Sequence, residues 1–587
     1  MSRRSILVLC GGASALALAA AACQSWGVAT PAARAFVGRH LARAYGLAFE
    51  AEGPTTLALL PAPRLRFRGV RVLNDGRLLA ESRELEVQLG LGALLAGQAE
   101  AAALTLGDAR FVLPEGEGDD RWAGPLARLT ARLAEGARPL RRLAVTGGRI
   151  AVGEAGPDRV SDLAVAASWP RAGAGLDLSG RFSWRGVPAT IVLAAARPLD
   201  LATGNPSPLK AAFGWPSGSL DLDGTGSWRD GPLLAGQGRF TTRALPETLA
   251  WLGVRAPLAP VLGRATLEGR FEARPDEFAM PALRLAVADT VLDGAGGATL
   301  GPDGRLALSG TLATERLDLS TLLPGRSDPD WVRAPLALAP WTGGDLDLRL
   351  SAASARIGSL EAEDVAAGLL VRAGAVEASL GRATVQGGTV KGRAVLLDGG
   401  SSGLEAKLQG TADRVDLGAL LADLGLSRPV LGRLHGSLAL DAAGSDLAEM
   451  TRRVGGRLAA TIDQGEIAGV ALAEVPGAEP VLRRGSRLSF ERAQLTLGVA
   501  GGLGEIMQGQ VRTGASALTL RGRVNLPEQR LAAEIEPVSR DPLRGAERRG
   551  EARSLYELAG PWAALRLRPL SPSRPPGLPT AASAYAP

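Results

Sequence analysis

Apolar and polar residues alternate along most of this chain, which is the period of strands that bury one face. In "ELEVQL", Leu85, Val87 and Leu89 fall on one side, and the acidic and amide residues fall on the other. Turns rich in Gly, Asp and Asn separate such segments about every 8–12 residues. The segment at Leu312–Leu323 resembles the one at Gly410–Leu421. The pattern predicts an all-β body of stacked units that share one long, continuous sheet.

The segment "RLRFRGVRV" shows the alternation and one break in it. Its first arginines share a face: Arg64, Arg66 and Arg68. Leu65 and Phe67 take the opposite face, and after Gly69 the phase inverts. A one-residue bulge at Gly69 returns the apolar residues to one side. We therefore expect a bent strand with a solvated basic face, whose arginines are candidates for contact with lipid headgroups.

Two segments have helical spacing instead. The first begins with Thr30-Pro31 and ends at Gly46, and it is either an amphipathic helix on a membrane surface or a helix that caps one end of the sheet. The second, Gly124 to Gly136, carries Pro125 at its start. Its apolar side is formed by three leucines: Leu126, Leu129 and Leu133.

The N-terminus has two arginines followed by an uncharged, mostly apolar segment from Ser5 to Ala22. As a helix it is about 27 Å long, enough to span a bilayer with the rest of the chain exported. The apolar residues of this anchor are Ile6, Leu7, Val8, Leu9, Leu16 and Leu18. A retained single-pass anchor is the first interpretation. A cleaved signal peptide and a lipoprotein signal that acylates Cys23 are the alternatives.

Composition narrows the classes of function. Hydrophobic residues reach 46% but aromatic residues only 4%, which suits a thin, repetitive core. The net charge of +6 is spread over 587 residues without a basic cluster, so we expect no nucleic-acid partner. The only cysteines are Cys10 and Cys23, so the body can form no disulfide.

Catalytic and metal-binding patterns are scarce. The two histidines, His40 and His435, belong to no cluster with metal-ligand spacing. One G-x-S-x-G match centres on Ser401, but a nucleophile elbow needs a following helix, and the next residues alternate like a strand. We interpret the match as a hairpin turn. We expect no enzymatic activity and no cofactor, and an enzyme that uses Ser401 is the third hypothesis for function.

Several motifs, in their order along the chain, resemble the AsmA family of bacterial envelope proteins. They begin with "GLAFEAEGP" at Gly46–Pro54, the segment "LALLPAPRLRFRGVRV" and the Leu-rich "LL-x-G" turn. "DDRWAG" is similar to the acidic-tryptophan motif before the family's small helix. "GGRLAATIDQGEIAGVAL" at Gly455–Leu472 is similar to a family signature with Gln464 inserted, and "GPWAALRLRP" at Gly560–Pro569 is similar to its closing strand.

The resemblance implies a mainly β fold: an elongated, curved antiparallel sheet that forms an apolar-lined groove, with a few short helices and an N-terminal membrane helix. The candidate lining comprises Leu65, Phe67, Leu85, Val87 and Leu89. Five regions are expected: an anchor or signal segment (1–25), an N-terminal AsmA-like region (26–145), a central repetitive β-groove (146–409), a C-terminal β region (410–567) and a disordered tail (568–587).

The function implied by the resemblance is phospholipid transport between the inner and outer membranes, with a role in outer-membrane biogenesis. The protein would be anchored in the inner membrane, with its bulk in the periplasm and acyl chains in the groove. The location alternatives are a lipoprotein or an exported periplasmic protein. The functional alternative is a factor that assembles outer-membrane or other envelope proteins at exposed sheet edges.

Overall fold

The protein is mainly β and divides into two compact units. The computed structural model describes residues 24, 26–27, 30–60, 62–90, 101–116, 119–136, 140–171, 173–229, 231–258, 263–287, 290–320, 333, 335–400, 403–426, 430–473, 481–514, 516–539, 555–561 and 565–570. Unit 1 is formed by residues 1–252 and 263–287, and unit 2 by residues 253–262 and 288–587. The boundaries predicted at 145/146 and 409/410 fall inside these units.

Unit 1 holds fifteen of the described strands and four helices. Its strands are β1 (Trp26–Gly27), β2 (Ala48–Ala51), β3 (Thr56–Ala58), β4 (Arg64–Asn74), β5 (Arg77–Leu89), β6 (Ala101–Leu113), β7 (Arg142–Val152), β8 (Asp158–Ser168), β9 (Leu176–Trp184), β10 (Val187–Ala195), β11 (Ser207–Trp215), β12 (Gly218–Ser227), β13 (Leu233–Thr242), β14 (Ala265–Ala273) and β15 (Phe278–Val287). Its helices are α1 (Thr30–Tyr45), α2 (Ala123–Ala134), α3 (Pro198–Ala202) and α4 (Leu245–Leu252).

Unit 2 holds another fifteen described strands and two short helices. Its strands are β16 (Thr290–Leu300), β17 (Leu306–Asp318), β18 (Asp345–Ile357), β19 (Leu360–Arg372), β20 (Ala375–Val385), β21 (Gly388–Asp398), β22 (Leu404–Asp416), β23 (Val430–Gly444), β24 (Gly455–Ala473), β25 (Val481–Ala500), β26 (Leu503–Arg512), β27 (Ser516–Asn525), β28 (Arg530–Ser539), β29 (Leu555–Pro561) and β30 (Arg566–Leu570). Its helices are α5 (Leu417–Asp423) and α6 (Leu447–Arg453).

Each unit is an open sheet in which strands consecutive in sequence pair side by side. The pairing is antiparallel, as predicted, with one exception in each unit: β6 and β7 are parallel, and so are β17 and β18. A parallel pair requires a long crossover, and α2 lies in the connection from β6 to β7. At the first edge of unit 1, β3 and β2 pair with opposite halves of β4.

The best-buried part of unit 1 lies at its N-terminal end. Phe67 is fully buried in a cluster with Leu65, Val70, Leu85 and Val87. Phe49 packs against the Phe67 ring edge to face, with centroids 5.4 Å apart. Helix α1 lies over this cluster through Ala33 and Val37, so it caps the end of the sheet.

The predicted phase inversion at Gly69 is present, with one difference. Gly69 has φ +60°, and Leu65, Phe67 and Val70 are all buried on the same side, as expected. The register between β4 and β5 does not shift at this point, because β5 inverts its own phase between Ser82 and Leu85. The irregularity is therefore shared by neighbouring strands and is not a bulge in β4 alone.

The same irregularity continues across the next strands of unit 1. Asp108 in β6 has φ +49°, and its parallel neighbour in β7 is Gly147, with φ +63°. In β8 the residue is Asp162, with φ +53°. Asp and Gly tolerate this left-handed conformation better than branched residues do. A line of local bends thus crosses the sheet and keeps the apolar side chains of successive strands on one face.

The residue inserted into the family-like signature has a similar role in unit 2. Gln464 has φ +50°. The pairing of β23 with β24 shifts by one residue here, between Arg433–Asp463 and Leu431–Glu466. Gln464 is thus the extra residue of a β-bulge. Ile462 and Ile467, on either side of it, pack on the same apolar cluster.

Several terminal predictions concern residues outside the described part of the chain. These include the membrane anchor with Ile6, Leu7, Val8, Leu9, Leu16 and Leu18, and the lipidation candidate Cys23. Among the described helices, none combines the length and the apolar character needed to cross a bilayer. The tail predicted to be disordered begins at Arg568, and its first three residues belong to β30.

Replacing Phe67 with Ala tests how far the capped end depends on this buried ring. A fully buried Phe truncated to Ala costs about 3–5 kcal/mol of stability. We expect faster amide hydrogen exchange in β4 and β5 of Phe67→Ala. Val192→Ala is the control, because Val192 is 53% exposed. Equal exchange in the two variants would contradict the assignment of Phe67 to the core.

Candidate functional site

One face of the unit 1 sheet carries an unbroken line of apolar residues. Strand pairing places these residues directly opposite one another from β4 to β15: Phe67, Leu85, Leu106, Val145, Val165, Gly180, Ile191, Phe213, Leu220, Phe240, Leu267 and Leu285. Eleven strand spacings give this row a length of about 53 Å. We call these twelve residues the apolar row.

A second row of apolar residues and glycines runs beside it across the same strands: Leu65, Val87, Leu104, Leu143, Ala167, Leu178, Leu193, Ala211, Leu222, Gly238, Gly269 and Leu283. Every member of the apolar row from Val165 to Leu285 stays partly exposed. Side chains beneath a second packed layer would be buried, so this face is open to solvent along most of its length.

The opposite face of unit 1 is polar and carries ion pairs between strands. Lys210 pairs with Asp223 at 2.8 Å, and Arg239 pairs with Glu268 at 2.8 Å. Such exposed pairs add little stability, but they mark the solvated side of the sheet. The two faces therefore differ in chemistry across β11 to β14.

Unit 2 has an apolar line of the same kind. From β16 to β26, paired residues are Gly294, Leu312, Leu350, Ala367, Leu380, Gly392, Gly410, Leu438, Leu458, Leu497 and Ile506. Most of these are also partly exposed. At its C-terminal end the face becomes a buried cluster around Phe490, Ile535 and Tyr556, and the Tyr556 hydroxyl accepts a hydrogen bond from the Leu482 amide at 3.1 Å.

The structure brings together the residues predicted to line a groove. Leu65, Leu85, Val87 and Leu89 line a cavity of about 540 Å³ beneath α1 and α2, and Phe67 forms its buried base with the same cluster. Leu129 of α2 also lines this cavity. Of the leucines predicted on one side of α2, Leu133 is buried, but Leu126 is 51% exposed and does not contribute.

The arginines predicted to meet headgroups lie on the opposite, polar face of β4. Arg66 binds Glu84 at 2.7 Å and Glu86 at 2.9 Å, and the hydrogen bond to Glu86 raises its pKa further. Arg68 is directly opposite Glu84 in the pairing, and Arg64 is opposite Gln88. Arg66 therefore binds carboxylates of β5, and a headgroup role for the three arginines stays a prediction.

The "DDRWAG" motif fixes the start of α2 against the strands. The Arg121 guanidinium is buried, binds both carboxylate oxygens of Asp119 at 2.9 Å and donates to the Leu78 carbonyl at 3.1 Å. The Trp122 indole donates to the Val112 carbonyl at 2.7 Å. The motif therefore has a structural role: it holds α2 over the end of the apolar face.

Unit 1 contains an aromatic cluster that the sequence patterns above did not predict. Phe182, Trp184, Phe213, Trp215, Phe240 and Trp251 form a chain of ring contacts. The Trp251 indole, at the end of α4, donates to the Trp184 carbonyl at 2.8 Å. A signal was present in "FSW" and "FGW", because aromatic residues two apart share a strand face. The cluster holds α4 against β9 and β11.

The G-x-S-x-G match lies in a hairpin connection. Ser401 itself is outside the described residues. Strand β22 follows at Leu404 and pairs antiparallel with β21, so a strand stands where a nucleophile elbow has a helix. His435 is on β23, where its ring contacts Asp413 at 2.7 Å. Within the described residues, no cluster of His, Cys, Asp and Glu has the geometry of a metal site.

Comparison with known families confirms the resemblance for part of the chain. The model of the AsmA family matches residues 325–503, which contain strands β18 to β25 and the signature at Gly455–Leu472. The N-terminal motifs and the closing strand lie outside the matched region. No curated protein and no solved structure matches this chain.

Asp119 gives the docking of α2 a measurable pH dependence. Hydrogen bonding from Arg121 lowers the Asp119 pKa from 3.8 to about 2. The folded state therefore favours the ionised carboxylate: its contribution is complete above pH 4 and is lost as the pH falls through about 2. We expect Asp119→Asn to lower the thermal midpoint at pH 7 and to approach the wild-type midpoint near pH 2.

Asp120→Asn is the matched control for this experiment, because Asp120 is the exposed neighbour in the same motif. It should leave the midpoint at pH 7 unchanged. A difference between Asp119→Asn and the wild type that stays constant from pH 7 to pH 2 would exclude the Asp119 carboxylate as its source.

Proposed function

We propose that this chain, whose residues 325–503 belong to the AsmA family, carries phospholipids with their acyl chains against the open apolar faces of its sheets. The observation that carries the proposal is the apolar row, which continues through twelve strands without a charged residue. No strand places a charged side chain in the row, so an acyl chain moving along it meets no charged barrier, and at β11 it passes Trp251 of α4, which stacks on Phe213.

The energetics favour an amphiphile as the occupant. Covering apolar surface is favourable by about 25 cal/mol per Å² removed from water. Soluble monomers rarely leave continuous apolar patches larger than a few hundred Å², and larger ones mark binding sites. Acyl chains would cover the half-exposed row while headgroups remain in water at the rims of the sheet. A binding and transport function needs no catalytic group.

The N-terminal sequence supports a location in the cell envelope. Arg3 and Arg4 precede the apolar segment Ser5–Ala22, an arrangement that retains the N-terminus in the cytoplasm. In this proposal the segment anchors the chain in the inner membrane and the β body lies in the periplasm. Lipid would then pass between the inner and outer membranes, and outer-membrane homeostasis would depend on it.

Two adjacent residues of β10 offer a direct test of the apolar face. Ile191 lies in the apolar row, and Val192 points to the opposite face, where it is 53% exposed. Ile191→Glu places a carboxylate on the proposed lipid path, so we expect fewer lipids to co-purify with the full-length chain. Solvent extraction followed by mass spectrometry counts them.

Val192→Glu is the control, with the same side chain introduced one residue away, and it should retain the wild-type amount of lipid. Wild-type protein that is consistently free of lipid would overturn the proposal. Equal lipid content in the Ile191→Glu and Val192→Glu variants would also overturn the proposal, because a carboxylate would then have the same effect on either face.

The edge-pairing alternative receives little support from the described edge strands. At the first edge of unit 1, β1, β2 and β3 have two to four residues each. The last strand, β30, has five residues and includes Pro569, which has no amide hydrogen to donate. Short strands and edge prolines discourage pairing with another chain. Crosslinks from β30 to unfolded outer-membrane proteins would favour this alternative.

The proposed anchor predicts a specific fractionation pattern. Deleting residues 1–25 should move the protein from the membrane fraction to the soluble cytoplasmic fraction, because the chain would lose its proposed spanning segment and its export signal together. Cys23→Ser separates the alternatives: a retained helix keeps the variant in the membrane, whereas a lipoprotein loses its acyl anchor. Unchanged membrane association after the deletion would contradict both forms of N-terminal anchoring.

A further inference from the structure

The cavity beneath α1 and α2 is distinct from the rest of the apolar face, because two helices close over it. Strands β4, β5 and β6 form its base. The helices are fastened to each other: the Arg128 guanidinium donates to the Tyr45 carbonyl at 2.9 Å, and Arg132 lies over the Tyr45 ring at 5.6 Å. Gly46 makes this possible, since a Cβ there would collide with Arg128.

The volume of the cavity, about 540 Å³, is within the range of small-ligand sites, roughly 300–1,000 Å³. Its lining is mostly aliphatic, and a few polar residues join it: His40, Tyr45, Glu81, Ser82 and Arg132. The Ser82 hydroxyl is already used within the sheet, where it contacts the carbonyls of Glu84 and Gly107 at 2.8 and 2.9 Å. Glu81 faces Arg110 at 3.9 Å. His40, Tyr45 and Arg132 are the polar side chains that remain for a ligand.

The charge of the two covering helices has a single sign. Helix α1 contains Arg34, Arg39, His40 and Arg43, and no acidic residue. Helix α2 contains Arg128 and Arg132, again without an acidic residue between Ala123 and Ala134. Arg132 lines the cavity, and four further arginines lie on the two covering helices. An apolar cavity with such a rim is complementary to a molecule with an apolar tail and an anionic head.

We propose that this cavity is a binding site for one anionic phospholipid, with an acyl chain among Leu65, Leu85 and Leu104 and the phosphate held by Arg132 and its neighbours on α1 and α2. The site rests on the proposed function, since it takes its ligand from the same apolar face. It adds a preference for a negatively charged headgroup and a fixed place for one lipid at the capped end of the row.

Binding to the full-length, delipidated chain tests the site. The probes are vesicles of phosphatidylglycerol and of phosphatidylcholine with identical acyl chains, and native mass spectrometry counts the bound lipids. Arg132→Gln should weaken binding of phosphatidylglycerol by about 10- to 150-fold, the effect expected for one hydrogen bond to a charged group. It should weaken phosphatidylcholine binding less, because the choline cation of that lipid already offsets the charge of its phosphate.

A second variant tests the cavity itself. Leu129→Glu introduces a carboxylate at a lining residue that is 37% exposed, so folding should tolerate it, and the variant should bind one phosphatidylglycerol fewer per chain. The controls are Leu126→Glu, on the same helix outside the lining, and Arg181→Gln, an exposed arginine on the opposite face of β9. Both controls should bind as the wild type does.

Three results are distinguishable. Loss of the preference for phosphatidylglycerol in Arg132→Gln together with the loss of one lipid in Leu129→Glu supports the site. Wild-type binding by both variants, with lipid still present on the chain, overturns the site and leaves the proposed function standing. A wild-type chain that takes up no lipid from either vesicle overturns the proposed function, and the site fails with it.

Discussion

Alignment of apolar side chains across neighbouring strands is the constraint on which the rest of this structure depends. Side chains alternate with a period of two, so a slip of one residue between any two strands would move a whole strand's apolar set to the wet face. The bends at Gly69, Asp108, Gly147 and Asp162 fall on a common line and invert the phase together. Because neighbouring strands bend together, the apolar row crosses them without interruption.

An open apolar face leaves aliphatic groups in contact with water, and this lowers the stability of the fold relative to an ordinary packed core. Glycines such as Gly180 and Gly238 occupy positions in the rows and keep the face thin, so neighbouring leucines stay partly exposed. Each exposed aliphatic group forgoes the free energy that burial would supply. An occupant that covers the face restores this free energy and stabilises the fold by binding. Stability and ligand loading are therefore coupled in this architecture.

Local periodicity was sufficient to predict the strands, both N-terminal helices and the shared buried face of Leu65, Leu85 and Val87, because these depend on neighbours in sequence. It gave no information on the parallel pairs β6–β7 and β17–β18, which join residues separated by long crossovers. The sequence did not predict the inversion in β5, because Ser82 is polar and a polar residue is expected on the solvated face. Ser82 is buried instead, and its hydroxyl donates to two carbonyl oxygens, one of them on β6. Leu126 was predicted on the apolar side of α2, but in the structure its side chain is 51% exposed.

The position of positive charge at the capped end also follows from pairing between strands. From sequence, Arg64, Arg66 and Arg68 are the basic residues nearest the apolar lining. In the sheet their face is opposite to that lining, and Glu84 and Glu86 of β5 neutralise Arg66. Among the described residues, no ion pair joins the arginines of α1 and α2 to a carboxylate of the strands. In the proposed site, electrostatic attraction for a headgroup therefore comes from the helices that close over the cavity and not from the strand that forms its base.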